Sequence, residues 1–254
     1  MKPLILITND DSYEARGIRT LIEVARSFGD VVVMAPMYNA SGYSHSFTAM
    51  RPLRVRELHQ EPGCSIYACD GTPVDCIKLA HEHYCPRQPE LVLSGINHGS
   101  NASINVLYSG TMGAVVEASV LGMQAIGFST IDHSPETDFT AAVPFVHRII
   151  GEVLRNGLPN LVSLNVNFPV PANGIIKGMR VCRQASARWL DSYEKRMDPQ
   201  GRPYYWITGR FECDDCSPDT DQWALQNDYV SIVPTTPDFT DFKALQQMAR
   251  RFDG

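Results

Sequence analysis

Apolar positions in the first 130 residues alternate between short continuous runs and sets repeating at helical spacing. Leu4-Ile5-Leu6-Ile7, within Pro3–Thr8, is a continuous run of the kind that suits a strand buried on both faces. From Gly17 to Gly29, Ile18, Leu21, Ile22 and Ala25 stand at i, i+3, i+4 and i+7, which predicts one apolar helix face. Val31–Ala35 then reads as a second buried strand, stopped by Pro36. The alternation continues with a strand at Ser65–Cys69, a helix from about Thr72 to His83, a strand at Glu90–Ile96, a helix over Gly110–Leu121 and a strand at Gln124–Ser129. The pattern predicts an α/β fold: a mostly parallel sheet with helices on both faces. Right-handed crossovers then bring the loops after the strands to one edge, where open α/β sheets bind ligands.

After Pro171 the pattern changes to segments punctuated by Gly and Pro. Met179–Arg183, Tyr204–Arg210 and Tyr229–Pro234 read as strands, and Asp241–Arg251 as a helix. Val170–Thr236 is expected to be a mostly β elaboration, because it holds too few apolar residues for a core of its own.

Composition removes several function classes. A chain of 254 residues buries enough surface to need no disulfide staples, and its seven cysteines lack framework spacing. With no secretory leader at the start, a cytoplasmic location is expected. No apolar run approaches the roughly 18 residues that cross a bilayer, so no membrane span is expected. Lys and Arg number 22 against 28 Asp and Glu, which disfavours binding to a nucleic-acid duplex and leaves small anionic substrates open.

Candidate chemistry collects in the loops after three strands. The first strand ends in Thr8-Asn9-Asp10-Asp11-Ser12, and neighbouring carboxylates there repel one another unless a divalent cation takes their oxygens. A solvated turn with Asp capping the next helix is the competing reading. The second strand leads into Asn39–Ser46, a small polar loop that offers hydroxyls and backbone N–H groups to an anion, or is an ordinary surface loop. Ser109-Gly110-Thr111 opens a helix, where free N–H groups, two hydroxyls and the positive end of the dipole favour a phosphate; Ser109 acting only as an N-cap is the alternative.

Other signals fail. Neither G-x-G-x-x-G nor G-x-x-x-x-G-K-[ST] is present, so dinucleotide and P-loop chemistry lack their fingerprints. Cys213-Asp214-Asp215-Cys216 is a lone C-x-x-C, and His81-Glu82-His83 lacks helical zinc spacing. His45 and His98 lie in the right loops and read as bystanders.

Motifs over nearly the whole chain resemble the SurE (survival protein E) family of 5′/3′-nucleotidases: Ile7–Asp11 with Gly17-Ile18, Asn39–Ser46, GTPVDCIKLA at Gly71–Ala80, LVLSGIN at Leu91–Asn97, YSGTMG at Tyr108–Gly113, SLNVNFP at Ser163–Pro169, and Asp219–Asp221 with YVSIVP at Tyr229–Pro234. The resemblance implies a Rossmann-like catalytic core over 1–169. It also implies a β-rich C-terminal extension over 170–254, with a terminal helix, packed on the core and used to form a homodimer or homotetramer. It implies one Mg²⁺ or Mn²⁺ per subunit held by Asp10, Asp11, Ser41 and Asn97, all hard oxygen donors. The expected reaction is hydrolysis of nucleoside 5′- and 3′-monophosphates to nucleoside and phosphate by a metal-activated water. Asp10 and Asp11 are the catalytic candidates, and Asn9, Ser41, Gly42, Asn97, Ser109, Gly110 and Thr111 the substrate and phosphate contacts. A non-catalytic phosphometabolite-binding module and an aspartyl-phosphate phosphatase are the alternatives. The sequence departs from the family pattern where Ser12 replaces Gly, Arg16 replaces Pro, and Ser103 and Ile104 replace Gly and an acidic residue. A different path for the first loop and altered substrate preference are the expected consequences.

Overall fold

The computed structural model describes residues 2–252. β1 (Leu4–Thr8), α1 (Arg16–Arg26) and β2 (Asp30–Pro36) form from the first apolar runs. β3 (Val55–Glu61) and β4 (Cys64–Cys69) make a hairpin that leads to α2 (Pro73–Leu79) and a π-helical turn over Ala80–Tyr84. Thr72 starts α2 with a capping box: its hydroxyl accepts from the Asp75 N–H while Asp75 accepts from the Thr72 N–H. Next come β5 (Leu91–His98), α3 (Gly110–Val120), β6 (Ala125–Thr130), α4 (Val143–Asn156) and β7 (Ser163–Phe168). The C-terminal part adds β8 (Gly178–Val181), β9 (Ser186–Met197), β10 (Pro203–Asp215), α5 (Asp221–Gln226), β11 (Tyr229–Thr235) and α6 (Phe242–Phe252).

Among the described residues one sheet runs in the order β3-β4-β2-β1-β5-β6-β7-β11-β8. It is parallel from β4 to β7, with β3 antiparallel at the edge and β11 antiparallel to β7. Ile5 and Ile7 pack under α1 and α4 with Ile18, Leu21, Val146 and Ile150, whereas Leu4 and Leu6 pack under α2 and α3 with Ile77, Met112 and Val115. Successive residues of β1 therefore serve opposite faces, which is why its sequence is apolar without alternation. From β1 the chain moves outward to β2 and β4, then returns to β5 and proceeds the other way. The junction of β1 and β5 is thus the topological switch point, where the carboxyl ends of the strands open a crevice.

Several elements fall outside the sequence pattern. β3 and β9 are mostly polar (VRELHQE and SARWLDSYEKRM) and carry no apolar face for a periodicity to report. α4 lies beyond the strand–helix alternation, although Val146, Ile149, Ile150 and Val153 repeat at helical spacing. The residues after 170 divide: β8 and β11 extend the main sheet, and only β9 and β10 stand apart as a two-stranded hairpin. A small cluster of Cys182, Ala224 and Val233 is the only separate core in this part among the described residues. Cys213 and Cys216 are joined as a disulfide at the end of β10, and the other five cysteines are free.

Candidate active site at the β1/β5 crevice

Asn9, Asp10 and Asp11 leave the tip of β1 beside the end of β5, where Asn97 and His98 lie. A register shift between Ser94 and Asn97 in the pairing of β5 with β6 sets the direction of that tip. α1 packs directly over it: a Cβ on Gly17 would stand 1.9 Å from the Ile96 carbonyl oxygen, so the Gly-Ile start of α1 is a close-approach requirement.

Asp10 is 2% exposed. Its Oδ1 accepts from the Thr111 hydroxyl at 2.6 Å, and Gly110 brings the N-terminus of α3 against the carboxylate, since a Cβ there would lie 3.0 Å from Asp10 Oδ2. Burial, and after it the charge of Asp11, push the Asp10 carboxyl up from 3.8 to about 6 against the pull of the Thr111 hydroxyl and N–H. Asp11 points into a cleft of about 590 Å³ that Asn39, Ser41, His98, Arg16 and Arg19 also line. Arg16 is neutralised by Glu136. Asp11 Oδ2 accepts from the His98 backbone N–H at 3.0 Å and lies 2.9 Å from His98 Nδ1.

The Asn39–Ser46 loop is tied to this centre by its backbone. The Ala40 N–H donates to the Asp10 carbonyl at 2.7 Å, and the Tyr43 N–H closes a turn onto Ala40 with Gly42 at φ 79°. That turn holds Ser41 at the cleft, while Gly42 faces open space. Asn97 Nδ2 donates to the Gly99 carbonyl at 2.8 Å, which directs its Oδ1 the other way. Asn101 braces that loop through Asn165 and Asn167: its N–H donates to Asn167 Oδ1, and its carbonyl accepts from Asn165 Nδ2, both at 2.8 Å.

The structure thus gathers Asp10, Asp11, Ser41 and Asn97 at one edge and assigns different work to the helix start. Ser109 is the N-cap of α3, its Oγ accepting from the Met112 N–H at 3.0 Å, and the Thr111 hydroxyl, fully buried, is committed to Asp10. His45 does turn away, pairing through Nε2 with Glu117 at 2.9 Å on the flank of α3. His98 does not: the sequence reads it as a bystander, and the fold sets it against Asp11. The signal was its place one residue after Asn97 on a strand that neighbours β1.

Two sequence departures also find an explanation. Ser12 has φ 91° and Ser103 φ 57°, both in the left-handed region that a glycine adopts without strain. The Asn9 side-chain amide holds the Ser12 carbonyl at 2.8 Å. Ser103 is held more firmly, with its hydroxyl donating to the Ala185 carbonyl and its N–H to the buried Asp221 carboxylate. Both serines thus hold left-handed turns that a glycine would take without strain.

The donor set fits a hard divalent cation. Two carboxylates stand side by side with one buried, and Asn9 Oδ1 is buried beside them without a hydrogen-bond partner. Among the described residues no three His, Cys, Asp or Glu side chains cluster as a metal site, so a cation here draws on hydroxyl and amide oxygens as well as Asp10 and Asp11.

The family described as "Survival protein SurE" matches residues 5–191. The chain belongs to the SurE family. Among its relatives, "5′-nucleotidase SurE" of Cytophaga hutchinsonii is 50% identical over 250 residues, covering 98% of this chain and 96% of the relative. The protein of the same name from Flavobacterium johnsoniae is 50% identical over 248 residues, covering 97% and 96%. The crystal structure of the SurE protein from Aquifex aeolicus superposes with a TM-score of 0.83 at 36% identity, covering 98% of this chain and 99% of that one.

Proposed function

We propose that this chain is a metal-dependent nucleotidase that hydrolyses nucleoside 5′- and 3′-monophosphates to nucleoside and inorganic phosphate. The observation that carries the reading is the pair Asp10–Asp11 at the switch point, with one carboxylate buried among oxygen donors and the N-terminus of α3 directed at it. The name 5′-nucleotidase and the near-complete coverage of the relatives support the 5′-monophosphate part of this activity.

Asp10, Asp11, the Ser41 hydroxyl and Asn97 Oδ1 would hold one Mg²⁺ or Mn²⁺ per subunit. When bound there, the cation supplies charge neutralisation at the phosphoryl group and lowers the pKa of an attacking water. Thr111 keeps Asp10 oriented, and the Asn39–Ser46 turn keeps Ser41 at the cleft. The Ser109 hydroxyl proton and the Gly110 N–H, at the positive end of α3, face phosphoryl oxygens. Asn9 uses its amide nitrogen on the Ser12 carbonyl and so contributes through its carbonyl oxygen, toward the cation side rather than the phosphate. The segment 170–254 supplies the contacts of a homodimer or homotetramer, through the exposed hairpin and α6.

Phosphate release from a panel of 5′- and 3′-nucleoside monophosphates, with protein stripped of metal and then given Mg²⁺ or Mn²⁺, tests the reading. Release is expected only after metal is restored. Binding without turnover in every metal would favour a phosphometabolite-binding module, and trapping of a phosphorylated aspartate would favour covalent catalysis.

A further inference from the structure

Asp11 enters this site with one oxygen already engaged. Its Oδ2 takes two bonds from a single neighbour, the backbone N–H and ring Nδ1 of His98, at 3.0 and 2.9 Å. Both side chains are about nine-tenths buried, at 10% and 11% exposure. An ionised carboxylate only accepts, so the proton between them belongs to Nδ1. The imidazole is fixed from its other side, meeting Phe139 edge-on with ring centroids 5.4 Å apart, and its Nε2 is buried without a partner. The ring therefore has one polar contact among the described residues, and that contact is Asp11.

We infer that His98 is the positioning residue for Asp11: its Nδ1–H pins Oδ2 so that Oδ1 alone is presented to the cation. The inference rests on the reading of Asp11 as a metal ligand. A carboxylate on a free rotor must be ordered when the ion binds, whereas one held by a two-point clamp is ordered beforehand. Loss of such an outer partner lowers metal affinity by about 10–100-fold. The backbone N–H survives any substitution at position 98, so the side chain's share is measurable on its own.

Asparagine and glutamine separate the donor from the bulk. The amide nitrogen of Asn stands as far from Cα as Nδ1 does and can restore the bond to Oδ2; that of Gln reaches the place of Nε2 and cannot. The experiment is calorimetric titration of metal-free parent, H98N, H98Q and H98A with Mn²⁺, beside their melting temperatures in metal-free buffer. The expected result is Mn²⁺ affinity within about threefold of the parent for H98N and a loss of tenfold or more for H98Q and H98A. H98Q binding as tightly as H98N overturns the positioning role, and so does equal loss in both, because neither pattern follows the Nδ1 donor. A parent that takes up no Mn²⁺ overturns the metal-dependent reading itself, an outcome distinct from either.

Discussion

Asp10 is the side chain whose burial is hardest to reconcile with an ion-free site. Its folded-state carboxyl titrates at about 6 instead of 3.8, because burial and the neighbouring Asp11 charge both disfavour ionisation. A pKa raised on folding means the group's contribution to stability is fully present below 3.8 and is lost as pH rises through 6. That shift corresponds to about 3 kcal/mol, so metal-free protein should lose roughly that much denaturant-measured stability to Asp10 between about pH 3 and about pH 7. Asp10→Asn should lack this component, which the difference between the two proteins isolates. In metal-free buffer at neutral pH Asp11→Asn should fold with near-parental melting temperature and Asp10→Asn with a higher one, since Asn removes the buried charge; both should lose phosphatase activity by orders of magnitude together with the thermal upshift on adding Mn²⁺. A variant that keeps the upshift would mark its carboxylate as structural. Legibility differed sharply among these residues. The Asn9-Asp10-Asp11 run was visible as chemistry because adjacent acids at a strand tip have few structural uses. Which acid is buried was not visible, since that depends on α3 and Gly110 arriving from 100 residues away.

At the level of elements, the start of α3 carries two duties that its sequence does not separate. Ser109-Gly110-Thr111 reads as a phosphate cradle, but the structure uses the Ser109 oxygen as a cap acceptor and the Thr111 hydroxyl on Asp10. Thr111→Val keeps the shape and deletes that donor, leaving Asp10 Oδ1 buried without its partner, at a cost of about 1–3 kcal/mol. The expected effect falls on the cation more than on the anion: Mn²⁺ affinity should drop while inhibition by inorganic phosphate, assayed at saturating Mn²⁺, changes little. A large loss of phosphate inhibition at saturating metal would return Thr111 to the cradle. β1 and β2, buried on both faces, were legible because their runs are uniformly apolar, whereas β7, equally buried, was not, because Asn165 and Asn167 interrupt its run. β3 and β9 were not, because an exposed polar strand pairs through its backbone and leaves no mark on its side chains.

Across the molecule, the hairpin and the last helix have apolar surface that this chain alone does not cover. Tyr193, Tyr205, Trp206 and Ile207 are more than half exposed on β9 and β10. α6 contains no buried residue, although Phe242, Leu245, Met248 and Phe252 are all apolar and exposed. Aromatic and aliphatic surface of this kind marks an interaction site. Sedimentation at micromolar concentration should give a dimer or tetramer, and replacing Phe242 and Leu245 together by Glu should shift the distribution toward smaller species. A stable monomer of the parent protein would remove the proposal that 170–254 holds the assembly together.

By itself the sequence determined what depends on neighbours along the chain: the strands built on continuous apolar runs, the apolar face of α1, the helix start at Ser109, and the order of the oxygen-bearing loops. It also carried the family resemblance, because those motifs lie intact in segments short enough to be read locally. The tertiary structure decided what depends on residues distant in sequence. It placed β1 at the switch point, buried Asp10 against α3, moved His98 from bystander to partner of Asp11, and showed Ser12 and Ser103 holding turns that glycine would take freely. The physical reason is common to all four. Burial, close approach and hydrogen-bond pairing are properties of a packed crevice, and no spacing along the chain encodes which side chain faces which once the sheet has formed.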